Sequence, residues 1–142
     1  MALIAVLVLV ACDAAGPELQ VGYYAASTIN GQTGSVLIAA SLTCDTRLWR
    51  TSMSLAADGS FTLNSLRIDD CTRGGGGSTM TSVGLSGTWQ READRITFTI
   101  PGAVPFPATF DAGHISTTIP ASAATFPADL QIEFTWYQVP PP

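Results

Sequence analysis

The chain has 142 residues, of which 46% are apolar and 12% are charged, and its net charge is −5. One domain is expected at this length, because typical domains contain about 100–200 residues. The acidic charge excludes a nucleic-acid-binding surface, which needs clustered positive charge, and the aromatic content argues against a disordered chain.

The first twelve residues, MALIAVLVLVAC, are all apolar. Such a run is too short for a membrane-spanning helix of about 20 residues, but residues 1–11 have the length of a signal-peptide apolar region. The sequence Leu9-Val10-Ala11-Cys12 resembles the lipobox of bacterial lipoproteins. This resemblance implies that Cys12 is lipidated and begins the mature chain, with residues 12–20 as a short tether. No basic residue precedes the apolar run, which predicts that the true start lies upstream or that the chain is a fragment.

Two cysteines, Cys44 and Cys71, remain after Cys12. Exported proteins favour disulfides, so we expect these two residues to form a structural disulfide that closes a 27-residue separation. Zinc binding is disfavoured because the sequence has no CxxC motif and contains one His. Membrane attachment at Cys12 and a disulfide together predict a location in the bacterial cell envelope, facing the periplasm or the cell surface.

The remainder of the chain alternates apolar and polar residues with a period of two, the pattern of half-buried β-strands. The pattern predicts an all-β domain over residues 21–138, followed by a Pro-rich tail at 139–142. An antiparallel up-and-down barrel of about eight strands is favoured, with a two-sheet β-sandwich as the alternative. The predicted strands are 21–29, 35–43, 48–56, 60–68, 80–90, 94–100, 105–111, 114–119 and 130–138.

Two local signals refine this expectation. Asp58-Gly59 is typical of a tight hairpin turn, because Gly readily accepts a positive φ angle. In the following strand the apolar residues change parity, and this change predicts a β-bulge near Asn64-Ser65. The four-glycine segment at 72–79 has no following Lys for phosphate binding, so it is interpreted as a flexible loop.

The order of the motifs resembles that of the small lipocalin-like lipoproteins of bacteria over residues 21–138. The motifs that carry the resemblance are Tyr23-Tyr24, Ile29-Asn30-Gly31, Leu55-Ala-Ala-Asp58-Gly59-Ser-Phe61-Thr-Leu63, Gly87-Thr88-Trp89, Asp94-Arg-Ile96-Thr-Phe98 and Ala108-Thr-Phe110-Asp111 with Ile115 beyond. The resemblance implies an envelope lipoprotein with a barrel domain, and it transfers no catalytic residue. The sequence differs from true lipocalins, which place a Gly-x-Trp on their first strand.

The sequence does not suggest an enzyme. The chain has no Lys, and its single His, His114, has no nucleophile-elbow motif to support it. We therefore predict no catalytic residues and no cofactor. Asp45, Asp69 and Asp70 lie next to the predicted disulfide and form a weak candidate Ca²⁺ site. Pairing of these carboxylates with Arg47 and Arg73 is the favoured alternative.

Trp49, Trp89 and Trp136 are the candidate ligand-binding residues, although packing in the core is the favoured explanation for each of them. An eight-stranded barrel is either filled by side chains or holds one small ligand. The leading hypothesis is a non-enzymatic lipoprotein that binds a small apolar ligand or an envelope protein. The alternative is a purely structural or interaction module with a filled core, and an enzyme is less favoured than either.

Overall fold

The computed structural model describes residues 18–123 and 126–137, which form nine antiparallel strands and two 3₁₀ turns. The predictions for residues 1–11, Cys12 and 139–142 lie outside the described residues. The strands match the predicted ones closely in number and position. They are β1 (Gly22–Ile29), β2 (Val36–Ala40), β3 (Asp45–Leu55), β4 (Ser60–Asp70), β5 (Ser78–Glu92), β6 (Arg95–Thr99), β7 (Phe106–Asp111), β8 (His114–Ile119) and β9 (Leu130–Trp136).

Eight of the nine strands close into an antiparallel barrel. The sheet has the order β1-β9-β8-β7-β6-β5-β4-β3-β2, and a further pairing of β1 with β3 closes the ring. Strand β2 is outside the ring and pairs with β3 alone among the strands. The predicted all-β barrel is therefore confirmed in preference to the two-sheet sandwich.

Strand β3 pairs with two different strands along the same edge. Its residues Asp45–Leu48 pair with β2, whereas Ser52–Leu55 pair with β1. Between these segments the register against β4 shifts, and Arg50 has a φ angle of 52°. The irregularity thus lies where β3 changes its partner, since the extra residue bends the strand.

The sequence predicted a β-bulge at Asn64-Ser65 in β4. This prediction is wrong, because the bulge lies in β3. Strand β4 pairs with β5 without interruption from Ser60 to Asp70, and the extra residue lies opposite it in β3. Ser65 keeps the inward parity, and its hydroxyl lies 2.8 Å from the buried hydroxyl of Thr51. The apolar residues change parity because the inner face of β4 beyond Ser65 continues with polar side chains.

The barrel interior is filled by side chains. Phe98 is fully buried, and the centre of its ring lies 4.8 Å from that of Phe61 and 5.4 Å from that of Phe106. Met53, Ile96, Ile115, Ile132 and Phe134 are likewise at most 2% exposed, and they belong to the same cluster. Most of the apolar residues in the alternating pattern of these strands are therefore core residues.

A four-stranded extension, formed by β2 and the distal halves of β3, β4 and β5, projects beyond the barrel. Strand β5 has 15 residues, but β6 pairs only with its last five, Thr88–Glu92. The pairing of β6 ends beside Gly87, where an added Cβ would overlap the carbonyl oxygen of Thr99. Only glycine fits this crossing without a shift of the backbone. The Cys44–Cys71 disulfide closes the far tip of the extension.

Candidate ligand-binding site

A cavity of about 310 Å³ lies at the barrel end that is opposite the extension. It is formed where β1 begins, where β9 ends and where the β7–β8 hairpin turns. The lining combines aromatic side chains with polar groups from the segment that precedes β1. The lining residues are Glu18, Gln20, Tyr24, Phe110, Ala112, Gly113 and Trp136.

Tyr24 forms part of the cavity floor. Its side chain is buried on the inner face of β1, and its hydroxyl donates a 2.7 Å hydrogen bond to the carbonyl oxygen of Gln20. Burial raises the pKa of the Tyr24 phenol, because removal from water disfavours the phenolate. Through this hydrogen bond the phenol holds the segment before β1 against the barrel.

Phe110 and Trp136 supply the other aromatic surfaces. Phe110 is the last inward-facing residue of β7 and is 4% exposed. Trp136 is partly buried at the end of β9, and its backbone N–H donates to the carbonyl oxygen of Gly113. The guanidinium of Arg91 lies 5.0 Å from the centre of the Phe110 ring, a cation–π distance. This arrangement offers an apolar floor with polar and charged groups around it.

The three predicted tryptophans do not form one site. Trp89 and Trp136 lie on the inner face at the same end of the barrel, and the Trp89 indole N–H donates to the carbonyl oxygen of Ala56 at 3.2 Å. Trp49 lies on the outer face of β3, where the guanidinium of Arg50 is 4.1 Å from its ring. Among the three tryptophans, only Trp136 lines the cavity.

Three residues of the cavity, Tyr24, Phe110 and Gln20, are not among the site residues predicted from the sequence. Phe110 and Trp136 are each the last apolar residue on the inward-facing side of a strand. Each lies next to a turn or to the end of the domain. An aromatic residue at such a position faces the mouth of a barrel, and this signal identifies both. Gln20 and Glu18 carry no such signal, because they lie outside every strand.

The predicted disulfide is confirmed, with an S–S distance of 2.08 Å between Cys44 and Cys71. The three nearby carboxylates, however, do not converge. Asp45 and Asp70 are cross-strand neighbours, whereas Asp69 is on the other face of the sheet. Within residues 18–123 and 126–137, no group of three or more His, Cys, Asp or Glu residues could hold a metal ion.

Each carboxylate near the disulfide has a partner in the chain. Asp45 pairs with Arg73, and Asp69 pairs with Arg67 at 2.9 Å. The hydroxyl of Thr46 donates to Asp69 at 2.6 Å and, with Arg67, lowers the pKa of this carboxyl. Hydrogen bonds from Thr72 likewise lower the pKa of Asp70. The ion-paired interpretation is favoured, although the partner of Asp69 is Arg67 and not Arg47.

His114 begins β8, and its side chain is exposed. Its Nδ1 lies 3.2 Å from the hydroxyl of Thr135 on the neighbouring strand. A larger groove of about 560 Å³ runs along β5 and β6, but its lining is mainly polar and includes Gln90, Arg91, Glu92 and Arg95. The cavity at the barrel end is therefore the stronger candidate for an apolar ligand.

Within the ranges that the structure describes, no helix is long and apolar enough to cross a membrane. No protein-family model matches the chain, and neither a curated protein nor a solved structure is significantly similar to it. The fold is thus known from the strand pairing alone: a small, closed antiparallel barrel with one additional strand, compatible with a lipocalin-like fold.

Proposed function

We propose that this chain is a non-enzymatic, membrane-anchored lipoprotein of the bacterial cell envelope that binds a small apolar ligand at the end of its barrel. The observation that carries the binding role is the 310 Å³ cavity with its aromatic lining. Its volume is at the lower end of the range of about 300–1,000 Å³ typical of small-molecule sites. The anchor is proposed from the lipobox-like sequence that ends at Cys12.

The lining supports an apolar ligand with a limited polar portion. Trp136 is partly buried and provides aromatic surface against which a flat or hydrocarbon group can stack, and Phe110 adds an apolar ring that is almost fully buried. Gln20 and Glu18 are the polar residues of the lining beside this apolar surface. A few polar groups on an apolar surface orient a ligand without dominating its affinity.

A second candidate function rests on the filled interior of the barrel. Because Phe61, Phe98, Phe106 and Phe134 occupy the centre, a ligand has access to the barrel end but not to its middle. A module of this kind could serve an envelope assembly through its surface alone. Binding of a small probe to the end cavity separates the two functions.

The first test measures binding of the neutral apolar dye N-phenyl-1-naphthylamine by the purified full chain. We expect saturable binding, and we expect Trp136→Ala to weaken it by about ten-fold, because loss of one aromatic contact corresponds to about 1.4 kcal/mol. The measurement is fluorescence titration of the dye. Native mass spectrometry of protein purified from its own host then searches for the natural ligand.

Trp49→Ala is the matched control, because Trp49 is also a tryptophan on a strand but lies on the outer face. This variant should bind the dye as the unmodified chain does. Equal loss in both variants, or no saturable binding at all, would contradict the end-cavity site and favour the structural module. Circular dichroism of each variant shows whether the barrel is intact.

The second test concerns the membrane anchor. Cys12→Ala should abolish labelling by a palmitate analogue and release the protein from the membrane fraction, because the acyl chain supplies the apolar attachment. The double variant Cys44→Ala/Cys71→Ala is the control and should keep the label. Membrane retention of Cys12→Ala at the original level would refute lipidation as the means of attachment.

A further inference from the structure

We propose that the exposed edge of β5 pairs with the same edge of a second copy of this chain, forming a continuous antiparallel sheet across a two-fold axis. The edge consists of Ser78–Gly87, where β5 has β4 on one side. On the other side no strand of the described chain pairs with it. This proposal concerns a surface separate from the end cavity.

The ladder geometry shows which backbone groups face the open edge. At one end of the β4–β5 ladder the Cys71 N–H donates to the Gly77 carbonyl, and at the other the Trp89 N–H donates to the Gly59 carbonyl. Hydrogen-bonded pairs alternate with non-bonded pairs in an antiparallel ladder. Odd-numbered residues of β5 therefore bond to β4, and even-numbered residues point their N–H and C=O groups away from it.

Five residues present these unpaired groups at the edge: Ser78, Met80, Ser82, Gly84 and Ser86. An unpaired edge of this length favours pairing with another chain, and proteins normally protect it with charge, proline or a bulge. This stretch of β5 contains no charged residue and no proline, and its register with β4 is unbroken. The edge strand β2, in contrast, is short and has a register shift between Leu37 and Ala39.

The side chains of β5 are self-complementary when the two-fold axis passes through Ser82. Met80 then lies opposite Gly84 of the second copy, and Ser78 lies opposite its Ser86. Met80 is 58% exposed, and the absent side chain of glycine leaves it space. On the other face Thr81 meets Val83, and β-branched pairs of this kind stabilise antiparallel sheets.

This register pairs all five edge residues. Each would donate one hydrogen bond and accept one, so that the two copies share ten main-chain hydrogen bonds. Beyond Ser78 the chain continues as glycine, and Gly76 falls opposite Thr88, where pairing with β6 begins in the second copy. The glycines leave space for that strand. A second copy therefore fits the edge better than an unrelated peptide does. The edge has no charged group through which it could recognise such a peptide specifically.

Sedimentation velocity of the full chain in density-matched detergent tests the pairing. We expect a concentration-dependent dimer, and Ser82→Pro should raise its dissociation constant by at least about ten-fold, because proline removes the N–H at the two-fold axis. That N–H makes no bond to β4, so the barrel should remain folded. Ser82→Lys, which places two like charges opposite each other, should have the same effect.

Thr62→Lys is the matched control, because Thr62 is exposed on the neighbouring strand β4, which is paired on both sides. This variant should dimerise normally. In a Cys12→Ala background, Ser82→Cys should form a covalent dimer on mild oxidation, since directly opposed residues lie within disulfide range. Thr62→Cys should still dimerise but should form no covalent dimer, because Thr62 lies away from the two-fold axis. A chain that is monomeric at every concentration, or a dimer that Ser82→Pro and Ser82→Lys leave unchanged, would overturn the proposal.

Discussion

Replacing Phe98 with Ala should lower the free energy of unfolding by about 3–5 kcal/mol, the usual cost of removing a large buried aromatic side chain. Phe98 is fully buried, and it contacts rings from two other strands, Phe61 on β4 and Phe106 on β7. Its loss leaves a cavity between strands that are held in place by the closed ladder, so the site can relax only partly. Urea unfolding followed by tryptophan fluorescence measures the change.

Val104→Ala provides the control for this experiment. Val104 is 71% exposed in the loop before β7, so its truncation should change the free energy of unfolding by less than about 0.5 kcal/mol. A decrease below about 1 kcal/mol for Phe98→Ala would show that the barrel centre is not packed as described. Such a result would also indicate that the barrel interior has room for a ligand.

Removal of the disulfide by Cys44→Ala/Cys71→Ala should lower the free energy of unfolding by about 3–4 kcal/mol. In the chain-entropy model, the bond stabilises the protein by restricting the unfolded chain, and the effect grows with the length of the closed loop. The sequence separation here is 27 residues. Thermal unfolding and urea unfolding of the variant, compared with the oxidised chain, test this value.

Reduction of the unmodified chain should produce the same loss as the double substitution, because both break the same bond. Agreement between the two would exclude an effect of the alanine side chains themselves. An unchanged unfolding midpoint in both would contradict the stabilising role of the disulfide. In that case the extension would be held together by the β3–β4 ladder, which pairs Asp45 with Asp70 next to the bond.

The sequence predicted the strands well because the barrel interior imposes a strict period of two. In β9, for example, Leu130, Ile132 and Phe134 are buried while the residues between them are exposed. The Asp58-Gly59 turn was also evident, and Gly59 has the positive φ angle of 82° that the turn requires. The cysteine pair followed from the predicted export of the chain. These features depend on local patterns, which a single sequence contains.

The features that depend on contacts between distant strands could not be predicted. The change of partner along β3 depends on whether β1 or β2 reaches its edge, and no local pattern records that. The parity change between Leu63 and Leu66 was visible, but its cause was misassigned to a bulge in β4. The open edge of β5 was hidden for the same reason, because its sequence is typical of a paired strand.

The candidate site was harder to predict than the fold. Its members come from segments far apart in the chain, Tyr24 near the start and Trp136 near the end, and β1 pairs with β9 to bring them together. The sequence identified Trp136 as a candidate but grouped it with Trp49, which the structure places on the opposite face of the sheet. Residue type alone does not distinguish a tryptophan at a barrel mouth from one on its outer surface.

If the chain is anchored as proposed, the position of the cavity at the start of β1 has a consequence for its orientation at the membrane. With Cys12 as the proposed anchor, the six residues from there to Glu18 can span at most about 20 Å. The mouth of the cavity would then be held close to the lipid headgroups, and an apolar molecule could pass between bilayer and protein over a short aqueous path. The disulfide-bonded tip, at the other end of β3 and β4, would point away from the bilayer.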